Sequence, residues 1–205
     1  MTKEVQITNK TGKNYAEVDS SNDLHTISKI TDGTNTVTVD DSNGLVIVDE
    51  TSNKIHSGNH FYVEGYITLN TDDSYYVKLV TPNTNVLAHI TWLIESGGVL
   101  TTTFDEGASG GMTGGSSVTP LNNNRNSETV STMTITSNVS APTSYDTRIS
   151  NKKVGGTTWK AVTGGQSARE EELILKKNTT YCRTFTSGSD NNLIAFKAMW
   201  SEYEL

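Results

Sequence analysis

The chain has 205 residues, a length that suits one large domain with a buried core. Only 33% of them are hydrophobic, while 32 threonines, 21 serines and 19 asparagines favour half-exposed strands and turns. A formal charge of -7 argues against a general electrostatic affinity for nucleic acid or an anionic membrane, no run approaches a membrane span, and the single cysteine, Cys182, excludes an internal disulfide framework.

In chain order, residues 1–34 are polar and weakly patterned, without the apolar core of a signal peptide. VQI (5–7) and LHTISKI (24–30) are candidate short strands in an extended arm. TVTV (36–39) and LVIV (45–48) flank DDSNG, whose Asn43-Gly44 supplies hairpin-turn chemistry. Ile55 to Asn59 reads as a turn leading into a strand over Phe61 to Leu69, with a bulge suggested at Gly65. Tyr75 to Val80 and Val86 to Ile94 are strands separated by TPNTN, where Pro82 ends the first.

VLTTTFDEG (99–107) alternates, and then ASGGMTGGSS (108–117), with four glycines and three serines, reads as a loop. TVSTMTITSNV (129–139) alternates again. Residues 140–169 form a polar excursion with a short strand at TRISNKKV. EELILKKNTTYCRTF (171–185) gives a strand, a turn at Lys177-Asn178 and a second strand. The alternation in LIAFKAMWSEYEL (193–205) places Ile194, Phe196, Ala198 and Trp200 on one side of a last strand. Eight to ten strands without any βαβ alternation predict an all-β protein, an antiparallel β-sandwich of jelly-roll-like type. The N-terminal arm and hairpin would span residues 1–53 and the sandwich domain residues 54–205.

Chemistry-bearing patterns are sparse. His56 and His60 lie four apart, and with Glu64 and His89 they form a conceivable metal set, but Ser57-Gly58-Asn59 interrupts any regular face. The turn aspartates Asp40-Asp41 and Asp72-Asp73 would bind calcium only if several loops converge, and no EF-hand spacing is present. The expectation is that both histidines anchor the turn before the strand through backbone hydrogen bonds, with no metal and no cofactor. No GxSxG elbow and no phosphate loop is present, and the paired aspartates fall in solvated turns. Trp92 and Trp200 read as core. Trp159 is isolated in the polar excursion, where an aromatic fits an interface anchor, a local mini-core or a ligand contact. The segment TPLNNNRNS stands apart. The side chains of Asn122, Asn123, Asn124 and Asn126 can pin an irregular backbone, and Arg125 offers a planar fork of donors for a carboxylate in the same chain or a neighbouring one. It reads as a hydrogen-bonded clasp.

Five stretches, KIHSGNHFYVEGY (54–66), LVTPNTNVLAHI (79–90), VTPLNNNRNSETVSTMTI (118–135), ELILKKNTTYCRTFTS (172–187) and NNLIAFKAMWSEYE (191–204), together resemble a family of tailed-bacteriophage virion structural proteins, head-decoration, auxiliary capsid or tail-associated. The resemblance implies a non-enzymatic, β-rich protein that works in repeated copies, with a homotrimer expected. It implies no catalytic residues. Its partners would be the major capsid protein or another virion protein, with neither nucleic acid nor membrane contacted directly, and assembly would take place in the host cytoplasm. Decoration of the capsid surface is the leading function. The alternative is a tail, baseplate or fibre component with a receptor- or carbohydrate-binding role. A glycan hydrolase would need two carboxylates facing each other in a cleft, and no pair in the sequence suggests one.

Overall fold

The alternating runs become strands in the computed structural model, which describes residues 5–9, 12–18, 24–25, 50–156 and 172–204. The expected hairpin at 36–39 and 45–48, and Trp159, lie outside the described residues. The chain divides into two units, Met1–Asp49 and Glu50–Leu205. In the first, β1 (Val5–Asn9), β2 (Gly12–Val18) and β3 (Leu24–His25) form an antiparallel sheet in the order β1-β2-β3.

The second unit opens with a helix, α1 (Glu50–His56), followed by β4 (His60–Leu69), β5 (Ser74–Val80), β6 (Val86–Ser96) and β7 (Leu100–Glu106). Then come β8 (Ser109–Gly111), β9 (Ser116–Val118), β10 (Leu121–Asn122), β11 (Thr134–Ser137), β12 (Pro142–Ser144) and β13 (Thr147–Val154). The last three are β14 (Leu173–Ile174), β15 (Thr180–Ser187) and β16 (Asn192–Glu204). They build a five-stranded sheet, β10-β4-β16-β6-β14, a six-stranded sheet, β13-β7-β15-β5-β11-β9, and a two-stranded one, β12-β8. Every pairing is antiparallel. Among the described residues the fold is all-β apart from α1.

The period of two places one row of each strand inside. Ile194, Phe196, Ala198 and Trp200 of β16 are buried, as the alternation predicts. They share one core with Val77 and Leu79 of β5, Leu100 and Phe104 of β7, and Tyr181 and Phe185 of β15, so both large sheets contribute to it. Aromatic contacts cross between the sheets: Phe185 stacks on Phe196 with centroids 5.1 Å apart, and Trp92 lies 6.0 Å from Phe104. Each large side chain buried in this way is worth about 2 kcal/mol.

Four expectations change. First, residues 50–56 are helical, where the sequence suggested only a turn before the strand. Gly58, at φ 75°, ends the helix. The Asn59 amide donates to Lys54 O at 2.9 Å and the Gly58 amide to Ile55 O at 3.0 Å, the paired bonds of a glycine-terminated helix. Second, β4 has no bulge at Gly65. It pairs with β16 in unbroken register, Gly65 opposite Phe196, and a Cβ at 65 would come within 3.1 Å of the Phe196 ring. The glycine makes room for the phenylalanine. The register shift falls instead in β13, between Arg148 and Ser150.

Third, the glycine-rich segment holds two short strands, β8 and β9, in place of a loop without core residues. Ala108 and Met112 pack with Val139 and Cys182 as a second small cluster. Fourth, the strand expected over 129–139 is limited to β11, because Ser131 and Thr132 turn away to bind a buried carboxylate described below.

Candidate functional site

The TPLNNNRNS segment begins as a strand and then leaves the ladder. Leu121 and Asn122 pair with Tyr62 and Phe61 of β4, and the Asn123 amide donates to His60 O at 2.9 Å. From there the asparagines replace the missing ladder with side-chain bonds. The Asn124 amide donates to Asn122 Oδ1 at 2.9 Å, and the Asn126 amide donates to Asn124 Oδ1 at 3.1 Å. Two successive side-chain turns thus fold the segment back on itself.

The same asparagines tie it to its neighbours. Asn122 is buried, and its Nδ2 donates to Gly58 O at 2.8 Å and to Thr129 O at 3.0 Å. Asn124 Nδ2 donates to His56 O at 3.0 Å. Gly58 lies so close to Ser127 that any side chain there would collide with its hydroxyl. KIHSG and TPLNNNRNS, distant in sequence, are therefore two halves of one structure.

The third part is the end of β16. The Glu202 carboxylate is buried, and its Oε1 accepts from Ser131 Oγ at 2.6 Å, Thr132 N at 3.0 Å and Trp200 Nε1 at 3.1 Å. Its Oε2 accepts from Thr132 Oγ1 at 2.8 Å. A carboxylate taken out of water needs this many donors. The Glu202 amide donates to Asn59 O at 2.9 Å, which ties the strand to the helix end.

The histidines take separate roles. His60 is buried with its Nδ1 2.8 Å from Ser201 Oγ, and burial holds its pKa below the ordinary value of 6.5. His56 is exposed and enters the clasp through its backbone carbonyl. His89 Nδ1 lies 2.9 Å from Glu172, and its ring lies 4.2 Å from that of Tyr203. Glu64 pairs with Lys197 at 3.2 Å. Among the described residues no three of His, Cys, Asp and Glu gather as metal ligands, so the set His56, His60, Glu64 and His89 does not converge. Burial pushes the Cys182 thiol up to about 11, so at neutral pH it is a protonated, inert packing group.

Arg125 sits at the outer end of the clasp. The sequence allowed it a carboxylate partner within the chain. Its side chain is exposed and has no hydrogen bond or ion pair with any described residue. Asn123 contributes its main chain, and Asn126 is exposed with only its amide engaged.

The helix end was the part of the site least visible in sequence. Its signal was Lys54 and His56 followed by Gly58, a helix C-terminus pattern that the shortness of the segment obscures. The arrangement as a whole does mechanical work: it fixes a long connection onto β4, β16 and α1 and leaves one guanidinium presented to solvent on an ordered support. No protein-family model, curated protein or solved structure matches the chain.

Proposed function

We propose that the chain is a non-enzymatic structural protein of a bacteriophage virion, a jelly-roll-like β-sandwich that binds the capsid surface in repeated copies, with a trimer as its working unit. KIHSG, TPLNNNRNS and the closing Trp200-x-Glu202 resemble stretches of such virion proteins. The reading is supported by the meeting of these three stretches in one hydrogen-bonded clasp. The observation that carries it is Arg125, exposed and unpaired among the described residues at the outer end of that clasp. A guanidinium held by an ordered backbone loses little freedom when it meets a carboxylate on a neighbouring subunit. Repetition on a symmetric lattice multiplies such modest contacts into firm attachment.

The test is co-sedimentation of the tagged chain with expanded, empty bacteriophage heads, together with labelling of intact virions from cells that make the chain. The wild type should sediment with heads and label the virion. Arg125→Glu should be lost from heads while melting as the wild type does. A wild-type chain absent from both heads and virions removes this function, and full binding by Arg125→Glu removes Arg125 as the contact.

A further inference from the structure

The outer face of the five-stranded sheet carries a depression built by cross-strand register. Glu64, Lys197 and Leu93 form one row across β4, β16 and β6, and Tyr66, Ala195 and Glu95 form the next. Ala195 is short and its neighbours are long, so the sheet is hollow at its centre. The hollow is an open depression of about 300 Å³, lined by these six residues together with Gly65 and Phe196. That is at the lower end of the range for small-molecule sites.

Its chemistry is specific. Tyr66 is 79% exposed, a large aromatic standing at the wall of the hollow. Ala195 and Leu93 make an apolar floor. Glu95 is exposed and has no partner among the described residues, while Glu64 is held by Lys197 at 3.2 Å. Two carboxylates and one ammonium leave the rim with a net charge of about -1 and a surplus of acceptors. β16 is paired on both sides along this stretch, so the floor offers no free main-chain donor or acceptor.

A peptide laid on this face would therefore leave its own backbone groups without partners. A saccharide ring would not. One face of a pyranose is C–H and stacks on an aromatic ring, and its edge carries hydroxyl donors for carboxylates. We propose that this hollow binds a neutral saccharide, with the ring against Tyr66, hydroxyls donating to Glu95 and Glu64, and acidic sugars disfavoured by the rim charge. The proposal does not rest on the virion reading.

The test titrates the ¹⁵N-labelled full chain with methyl glucoside, methyl galactoside, N-acetylglucosamine and glucuronic acid. At least one neutral sugar should shift the amides of Tyr66, Leu93 and Ala195 saturably, with glucuronic acid weaker. Tyr66→Ala should weaken binding about tenfold, the size of a lost aromatic stacking contact. Glu95→Gln should weaken it several-fold. Both side chains are exposed, so both variants should melt as the wild type does, and Glu95→Gln alone tests the site if Tyr66→Ala fails to fold. The proposal is overturned if no neutral sugar shifts these amides, or if the variants bind as well as the wild type. It is also overturned if Tyr66→Ala reduces the mass in solution, since the face is then a contact between copies of the chain.

Discussion

The Trp200 indole N–H donates to the carboxylate of Glu202, two residues further along the same strand, at 3.1 Å. One side chain belongs to the hydrophobic core and the other is a charge buried beside it. Ser131 and Thr132 complete the set of donors. Glu202→Gln keeps the shape but replaces one oxygen by NH₂, and the Thr132 amide, which reaches Oε1 at 3.0 Å and Oε2 at 3.2 Å, then faces a donor whichever way the side chain turns. The expected loss is about 2 kcal/mol. It should appear as a lower urea midpoint with an unchanged slope. An unchanged midpoint would mean that the carboxylate is held less tightly than its geometry implies.

The clasp makes a graded prediction. Asn122 is buried and its side chain serves Gly58 O, Thr129 O and the Asn124 amide. Asn122→Ala leaves these groups unpaired and should cost about 2–3 kcal/mol. Arg125→Ala and Asn126→Ala, at exposed side chains, should each fall within about 0.5 kcal/mol of wild type. Thermal denaturation of the three variants side by side decides. A large loss for Arg125→Ala would point to a partner inside the chain.

Stability should fall at both ends of the pH scale. Burial depresses His60 below its ordinary 6.5, so the unfolded chain takes up a proton first as pH falls. The contribution of His60 is therefore complete above 6.5 and declines as pH drops through and below that value. At the alkaline end the sign reverses. Burial raises Tyr181 to about 12 from 10.0 and Cys182 to about 11 from 9.0, so the unfolded chain releases these protons first. Stability should then decline as pH rises above 9. Urea midpoints across pH check both limbs, and His60→Gln should flatten the acid one.

Two glycines of the same segment should differ in tolerance. Gly111, at φ 58°, lies against the carbonyl of Ala141, whereas Gly114, at φ 72°, has nothing within 4 Å of where a Cβ would stand. Gly114→Ala carries only the left-handed backbone penalty, about 1 kcal/mol. Gly111→Ala adds a collision with main chain and should cost more than about 2 kcal/mol. Calorimetric melting of both variants would show the difference, and equal losses would refute it.

The strands that could be read in advance share one property: their own side chains record their burial. Ile194, Phe196, Ala198 and Trp200 alternate in sequence because they alternate in space. What escaped reading depends on residues far away. α1 buries none of its side chains, so it left no apolar period to detect. Ala108 and Met112 carry too little apolar surface to announce a core until Cys182 and Val139 meet them. Ser131 and Thr132 fit a strand pattern, yet they follow a carboxylate some 70 positions later in the chain. The clasp was half legible, since a run of asparagines signals local side-chain bonding, but its attachment to His56 and Gly58 is a matter of tertiary contact. The hollow beside Tyr66 exists only through cross-strand register, which no spacing along the sequence encodes.

β16 lies between β4 and β6 and pairs with both. On the ribosome those two strands are made first and the strand that joins them comes last. Until Asn192–Glu204 emerges, the nascent β4 and β6 have no common neighbour in their sheet, and the row of Ile194, Phe196, Ala198 and Trp200 is missing from the core. This sheet therefore completes its pairing only after its central strand, the last of the three to be translated, has been made.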